Sequence, residues 1–105
     1  MIKLSDSELY IMNIIWSYKN VTSFDILNIV EEDKKISCNT VRTALGRMVK
    51  KKAIAIAGKN GKIYTYEPLI DRNEYLEFEL NKIIDFFYHG DSKKFLNDII
   101  NKMSK

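Results

Sequence analysis

Residues Ser37 to Lys52 read SCNTVRTALGRMVKKK, a run with the spacing of an amphipathic helix whose polar side carries no acid. At the 3.6-residue period, Asn39, Arg42, Thr43, Gly46, Arg47 and Lys50 fall within an arc of about 140°. Val41, Ala44, Leu45, Met48 and Val49 fill the opposite side. One face therefore suits a core, and the other is rich in hydrogen-bond donors. A merely solvated face usually mixes Glu with Lys at i,i+4 for mutual support, and here no acid is available to do so.

The charge pattern extends well beyond this helix. No Asp or Glu occurs between Asp33 and Glu67, an interval holding Lys34, Lys35, Arg42, Arg47, Lys50, Lys51, Lys52, Lys59 and Lys62. It carries +9, so against a net charge of +3 the remainder of the chain carries −6. A cationic segment on an otherwise acidic molecule is the electrostatic footprint of a nucleic-acid binder. A helix lying on a membrane surface would set Trp, Phe and Leu opposite its basic residues, whereas this one sets Ala, Val, Leu and Met there.

Upstream, the spacing predicts two further helices. In LSDSELYIMNIIW, Ser5 is placed to cap, Glu8 to complete a capping box and Leu4 to staple onto Leu9, with Leu9, Met12, Ile15 and Trp16 as the apolar stripe. Thr22 and Asp25 form a second box ahead of Ile26, Leu27, Ile29 and Val30. Three short helices with brief connections, the third basic on its free side, match a helix-turn-helix whose last helix enters the DNA major groove.

Downstream, Ala53 to Ala57 fits either a strand or a helix by pattern, Gly58-Lys59-Asn60-Gly61 reads as a turn, and Lys62 to Tyr66 alternates as a strand that Pro68 closes. Two strands around a basic turn make a wing. Asp71 and Glu74 offer another capping box, and a helical pattern runs from there to Tyr88, with Gly90 stopping it and Asp91 or Ser92 capping a last short helix. The expected fold is thus mainly α with a small β-hairpin: a winged helix-turn-helix domain over residues 1–70 and C-terminal dimerisation helices over 71–105. Tyr75, Phe78, Ile83, Phe86, Phe87, Phe95, Leu96, Ile99, Ile100 and Met103 are the candidate dimer contacts, because two lone helices cannot cover so many large apolar residues.

Other function classes find little support. With 105 residues, 46% hydrophobic and 30% charged, the chain has the composition of an ordinary soluble domain and no apolar run of bilayer length, so no membrane insertion and a cytoplasmic location are expected. A single Cys38 and a single His89 make no metal cluster, no phosphate loop or paired-carboxylate signature points to an enzyme, and no cofactor is expected. Cys38 reads as a small packing residue rather than a redox switch, and His89 as a surface residue at a helix C-terminus. The competing reading is a winged-helix interaction module whose basic face meets an acidic protein.

SDSELYIMNIIW, TSFDILNIV, NTVRTALGRMVKK and KIYTYEPLI, spaced as they stand from Leu4 to about Gly90, resemble the BlaI/MecI penicillinase-repressor group of bacterial winged-helix regulators, to which the copper repressor CopY also belongs. The resemblance implies a homodimer on a dyad-symmetric, double-stranded operator that blocks transcription. It places Asn39, Thr40, Arg42, Thr43 and Arg47 against DNA. Arg42 and Arg47 can bond guanine bidentately or clamp phosphates, Thr43 can meet a thymine methyl, and Asn39 can reach a base or phosphate. Gly46 would permit close approach, and Lys50, Lys51, Lys59 and Lys62 would contact phosphates.

Four departures stand out. Relatives usually carry Gly, suited to a left-handed cap, where this chain has Lys52. The Asn-Phe bond cut in antibiotic-responsive members is replaced by Phe95-Leu96-Asn97-Asp98-Ile99, and the cysteine-rich metal motif of copper-responsive members is missing. The sequence ends at Lys105, short of the last helix of many relatives, which suggests a smaller dimer interface. It names no sensor or protease partner.

Overall fold

The computed structural model describes residues 2–104; the outermost residues of the two expected domains, Met1 and Lys105, lie outside the described residues. Helices α1 (Asp6–Ser17), α2 (Ser23–Asp33) and α3 (Cys38–Lys50) precede a hairpin of β1 (Ile54–Asn60) and β2 (Ile63–Pro68), and α4 (Arg72–Tyr88) and α5 (Ser92–Met103) follow. The chain divides into two compact units, Ile2–Asp71 and the two C-terminal helices.

In the first unit each helix begins where a short polar side chain satisfies an otherwise orphaned backbone N–H. Ser5 and Glu8 form a reciprocal capping box on α1, and Thr22 and Asp25 form another on α2. On α3, Ser37 Oγ accepts from the Thr40 N–H at 3.1 Å, but the third helical position holds neutral Thr40 instead of an acid. The cap is therefore made without placing negative charge on the helix that carries the basic face.

Ile11, Met12, Ile15, Ile26, Val30, Val41, Ala44, Leu45 and Met48 form the core where the three helices meet, joined by Ala53 and Ile54 from the start of the hairpin. The stripe on α1 is rotated from the expected one: Ile11 and Ile14 are buried, while Leu9 and Trp16 are half-buried. Trp16 nevertheless pins the hairpin's exit, its Nε1–H donating to the Ile70 carbonyl at 2.9 Å.

The wing departs from its expected outline. Gly58, Lys59 and Asn60 belong to β1, whose register slips between Ile56 and Gly58, and the turn itself is only Gly61 and Lys62. Gly61 has φ 64°, a conformation glycine adopts freely. An isolated β-bridge, unmarked in the sequence pattern, adds to the two-stranded sheet: Thr22 bridges Thr65, and the Tyr66 N–H donates to the Val21 carbonyl at 2.9 Å. This ties the hairpin to the start of α2.

In the second unit α5 packs against α4. The rings of Tyr88 and Phe95 meet edge to face with centroids 5.4 Å apart, and the Tyr88 hydroxyl donates to Asp98. His89 and Gly90 both adopt positive φ between the helices, and Asp91 caps α5 by accepting from the Lys94 N–H.

Candidate nucleic-acid interface

Alternation of core and surface residues along α3 fixes which side it offers. Val41, Ala44, Leu45 and Met48 are buried, whereas Asn39, Arg42, Thr43, Gly46, Arg47 and Lys50 are exposed together on the other side. Thr40 sits at the edge, half-buried, its hydroxyl 2.8 Å from that of Ser37. A Cβ on Gly46 would meet nothing within 4 Å, so the glycine opens space on this face without being required by the backbone. No acid lies in the first turn, and Arg47 and Lys50 in the last turn complement the helix dipole.

The hairpin extends the cationic surface. Lys59 and Lys62 are exposed, and the Lys59 ammonium lies over the Tyr64 ring, 5.4 Å from its centroid. That support was not read from the sequence, although a Lys and a Tyr facing each other across a two-residue turn are the signal that could have revealed it.

One expected phosphate contact is committed elsewhere. Lys51 Nζ lies 2.7 Å from Glu8 Oε1 and also donates to the Lys3 carbonyl at 3.2 Å, which turns it toward the first turn of α1. Burial alone would raise the Glu8 pKa, but hydrogen bonds from Lys51 and Ser5 outweigh it and hold the carboxyl below its ordinary value. Cys38, read as a packing residue, is exposed at the first residue of α3.

Beyond Lys51 the chain turns through a left-handed residue. Lys52 has φ 65°, its N–H donates to the Val49 carbonyl at 3.0 Å, and the Ala53 N–H donates to Met48 at 2.9 Å. These two bonds make a Schellman cap, which is kept here with Lys where glycine is favoured.

The expected dimer contacts divide. Tyr75 is buried within the single chain and is not available to a partner. Phe78, Phe95 and Ile99 are half-buried. Ile83, Phe86, Phe87, Leu96, Ile100 and Met103 are exposed, Phe86 and Phe87 to 77% and 75%. No described helix is long and apolar enough to cross a membrane, and no group of His, Cys, Asp and Glu among the described residues could hold a metal ion.

Comparison with known proteins places this geometry. The family model described as penicillinase repressor matches residues 4–105. A penicillinase repressor of Bacillus licheniformis is 30% identical over 88 residues, 84% of this chain and 68% of that protein. One from Staphylococcus aureus is 28% identical over 121 residues, covering 99% and 95% of the two chains. The solution structure of the DNA-binding domain of the repressor BlaI matches with a TM-score of 0.62 at 30% identity, over 70% of this chain and 88% of that one. The monomeric form of Bacillus licheniformis BlaI in complex with the blaP half-operator matches with a TM-score of 0.59 at 30% identity, over 70% and 89%.

Proposed function

The chain belongs to the penicillinase repressor family, and from that membership we propose that it is a sequence-specific DNA-binding repressor of transcription, acting in the cytoplasm as a homodimer on a palindromic operator. The observation that carries the reading is the exposed face of α3, with Asn39, Arg42, Thr43, Arg47 and Lys50 on one side and no acid among them. An α-helix fits the major groove, where Arg can bond guanine bidentately, Asn can bond adenine and Thr can meet a thymine methyl. Lys59 and Lys62 on the hairpin, and Lys50 at the end of α3, supply the phosphate contacts that hold the helix in register.

The exposed apolar side chains of α4 and α5 support the dimer. An isologous contact hides the same patch on both partners, and a two-fold protein matches a two-fold operator with half-sites about one or two turns apart. Selection of bound duplexes from a random library at near-physiological salt, followed by footprinting, tests the reading. Enrichment of a two-fold symmetric site is the expected result. Salt-sensitive binding with no enriched sequence would overturn it, leaving nonspecific electrostatics and bringing forward an acidic protein as the partner of this face.

A further inference from the structure

Between α2, α3 and the hairpin lies a groove of about 660 Å³ whose apolar walls play no part in the DNA reading above. Its volume is that of a small-molecule site. Leu27, Leu45, Val49 and Ile56 line it, and large apolar side chains remain uncovered along it, with Phe24, Ile56 and Ile63 exposed to 58%, 46% and 41%. The charged residues on its walls are Arg42 and Lys62, both exposed, and no acid lines it.

We propose that this groove binds a small amphipathic carboxylate, its aromatic or aliphatic body against Leu27, Val49 and Ile56 and its carboxylate met by Arg42 and Lys62. The charge of the walls selects the sign of the head group, and their apolar area selects the body. A DNA backbone would satisfy the two cations but leave the apolar walls uncovered. Helix α5 of a second copy would cover the walls but bring Lys93, Lys94 and Lys102 toward the same cations.

The site also bears on regulation, and this step rests on the repressor reading. Arg42 and Gly46 belong both to the groove and to the face offered to the operator. Ligand and operator then compete, and operator affinity falls as the ligand fills the groove.

Titration of the full chain with 2-naphthoate, followed by amide chemical shifts without DNA, tests the site; operator competition is measured separately. The expected result is saturable shifts confined to the groove, at Leu27, Val49 and Ile63 among others, with binding weakened about fivefold for Lys62→Gln, the scale of losing one exposed ion pair, and by more than that for neutral 2-naphthamide, which loses both. Leu27→Trp, which narrows the groove from outside the DNA-facing set, should abolish the shifts and leave operator affinity unchanged; if it does not fold, Lys62→Gln and the amide carry the test. Absent or scattered shifts, or equal binding of the amide, would overturn the site. Saturable binding with unchanged operator affinity would overturn the regulatory step alone, and a chain that selects no operator would leave the groove decided by the shifts.

Discussion

Lys51 Nζ sits 2.7 Å from Oε1 of Glu8, a side chain only 1% exposed, so the residue that caps α3 is anchored to the start of α1. Among the described residues, the second carboxylate oxygen, Oε2, is buried without a hydrogen-bond partner, which makes the Lys51 cation more important. Lys51→Met should destabilise the fold by about 1–3 kcal/mol, toward the lower end because Lys51 itself is partly solvated. Denaturant unfolding measures this. In the same variants, DNA titrations should separate the neighbours: Lys50→Gln lowers the slope of log affinity against log salt by roughly 1, and Lys51→Met leaves it unchanged. An equal change of slope would return Lys51 to the phosphate contacts.

The pair also sets a pH dependence. Burial of Glu8 opposes ionisation, but the Lys51 and Ser5 hydrogen bonds prevail and its pKa falls below the ordinary 4.5. A carboxyl with a depressed folded-state pKa contributes stability that is complete above its unfolded value and is lost as pH falls through the folded one. Thermal unfolding from pH 6 downward should therefore steepen below about pH 4.5 in the parent, and Glu8→Gln should flatten that limb. Parallel curves for the two proteins would show that other carboxylates govern acid unfolding.

The cap after α3 offers a stabilising change. Holding Lys52 at φ 65° costs a residue with a Cβ about 1–2 kcal/mol, part of which glycine's greater freedom in the unfolded chain takes back. Lys52→Gly should raise stability by about 0.5–1 kcal/mol, read as a higher urea midpoint at constant slope. Lys52→Ala should bring no such gain, since it keeps the strained φ.

On the exposed face of α3, Arg47→Ala should weaken operator binding by about 1–3 kcal/mol and relax preference at one base position, as expected for loss of a bidentate base contact. Competition with random duplex discriminates the roles of this side chain. Equal losses on operator and random DNA would assign Arg47 to phosphate.

The exposed basic face of α3 was legible in the sequence because a helix with no acid and a clean 3.6-residue period leaves little freedom in which side is buried. The capping boxes of α1 and α2 were legible for a similar reason: Ser5 with Glu8 and Thr22 with Asp25 act locally. What was not legible depends on tertiary partners. On the helical wheel Lys51 lies about 180° from Arg42, outside the basic arc, but the run of three lysines obscured that difference. The Val21–Thr22 contact with the hairpin is too short to show a period, and with glycines at both Gly58 and Gly61 the position of the turn could slide until cross-strand pairing set it. Tyr75 followed the apolar pattern of α4, which cannot say whether its own chain or a second one covers a given residue.

Phe86 and Phe87, more than 70% exposed near the end of α4, mark the surface expected to be covered by a second copy. Burying an aromatic side chain is worth about 1.5–3 kcal/mol, and an isologous contact counts each residue twice. Phe87→Asp would place a charge in that interface and should shift sedimentation at micromolar concentration from dimer to monomer. The first unit carries its own core, so circular dichroism of the variant should remain native and binding to an isolated half-site should change little. Binding to the full palindrome should weaken more strongly, because two linked half-sites no longer gain from each other's effective concentration. A parent chain that sediments as a monomer throughout would remove the dimer from the proposal, and a Phe87→Asp chain that remains dimeric would move the interface away from this end of α4.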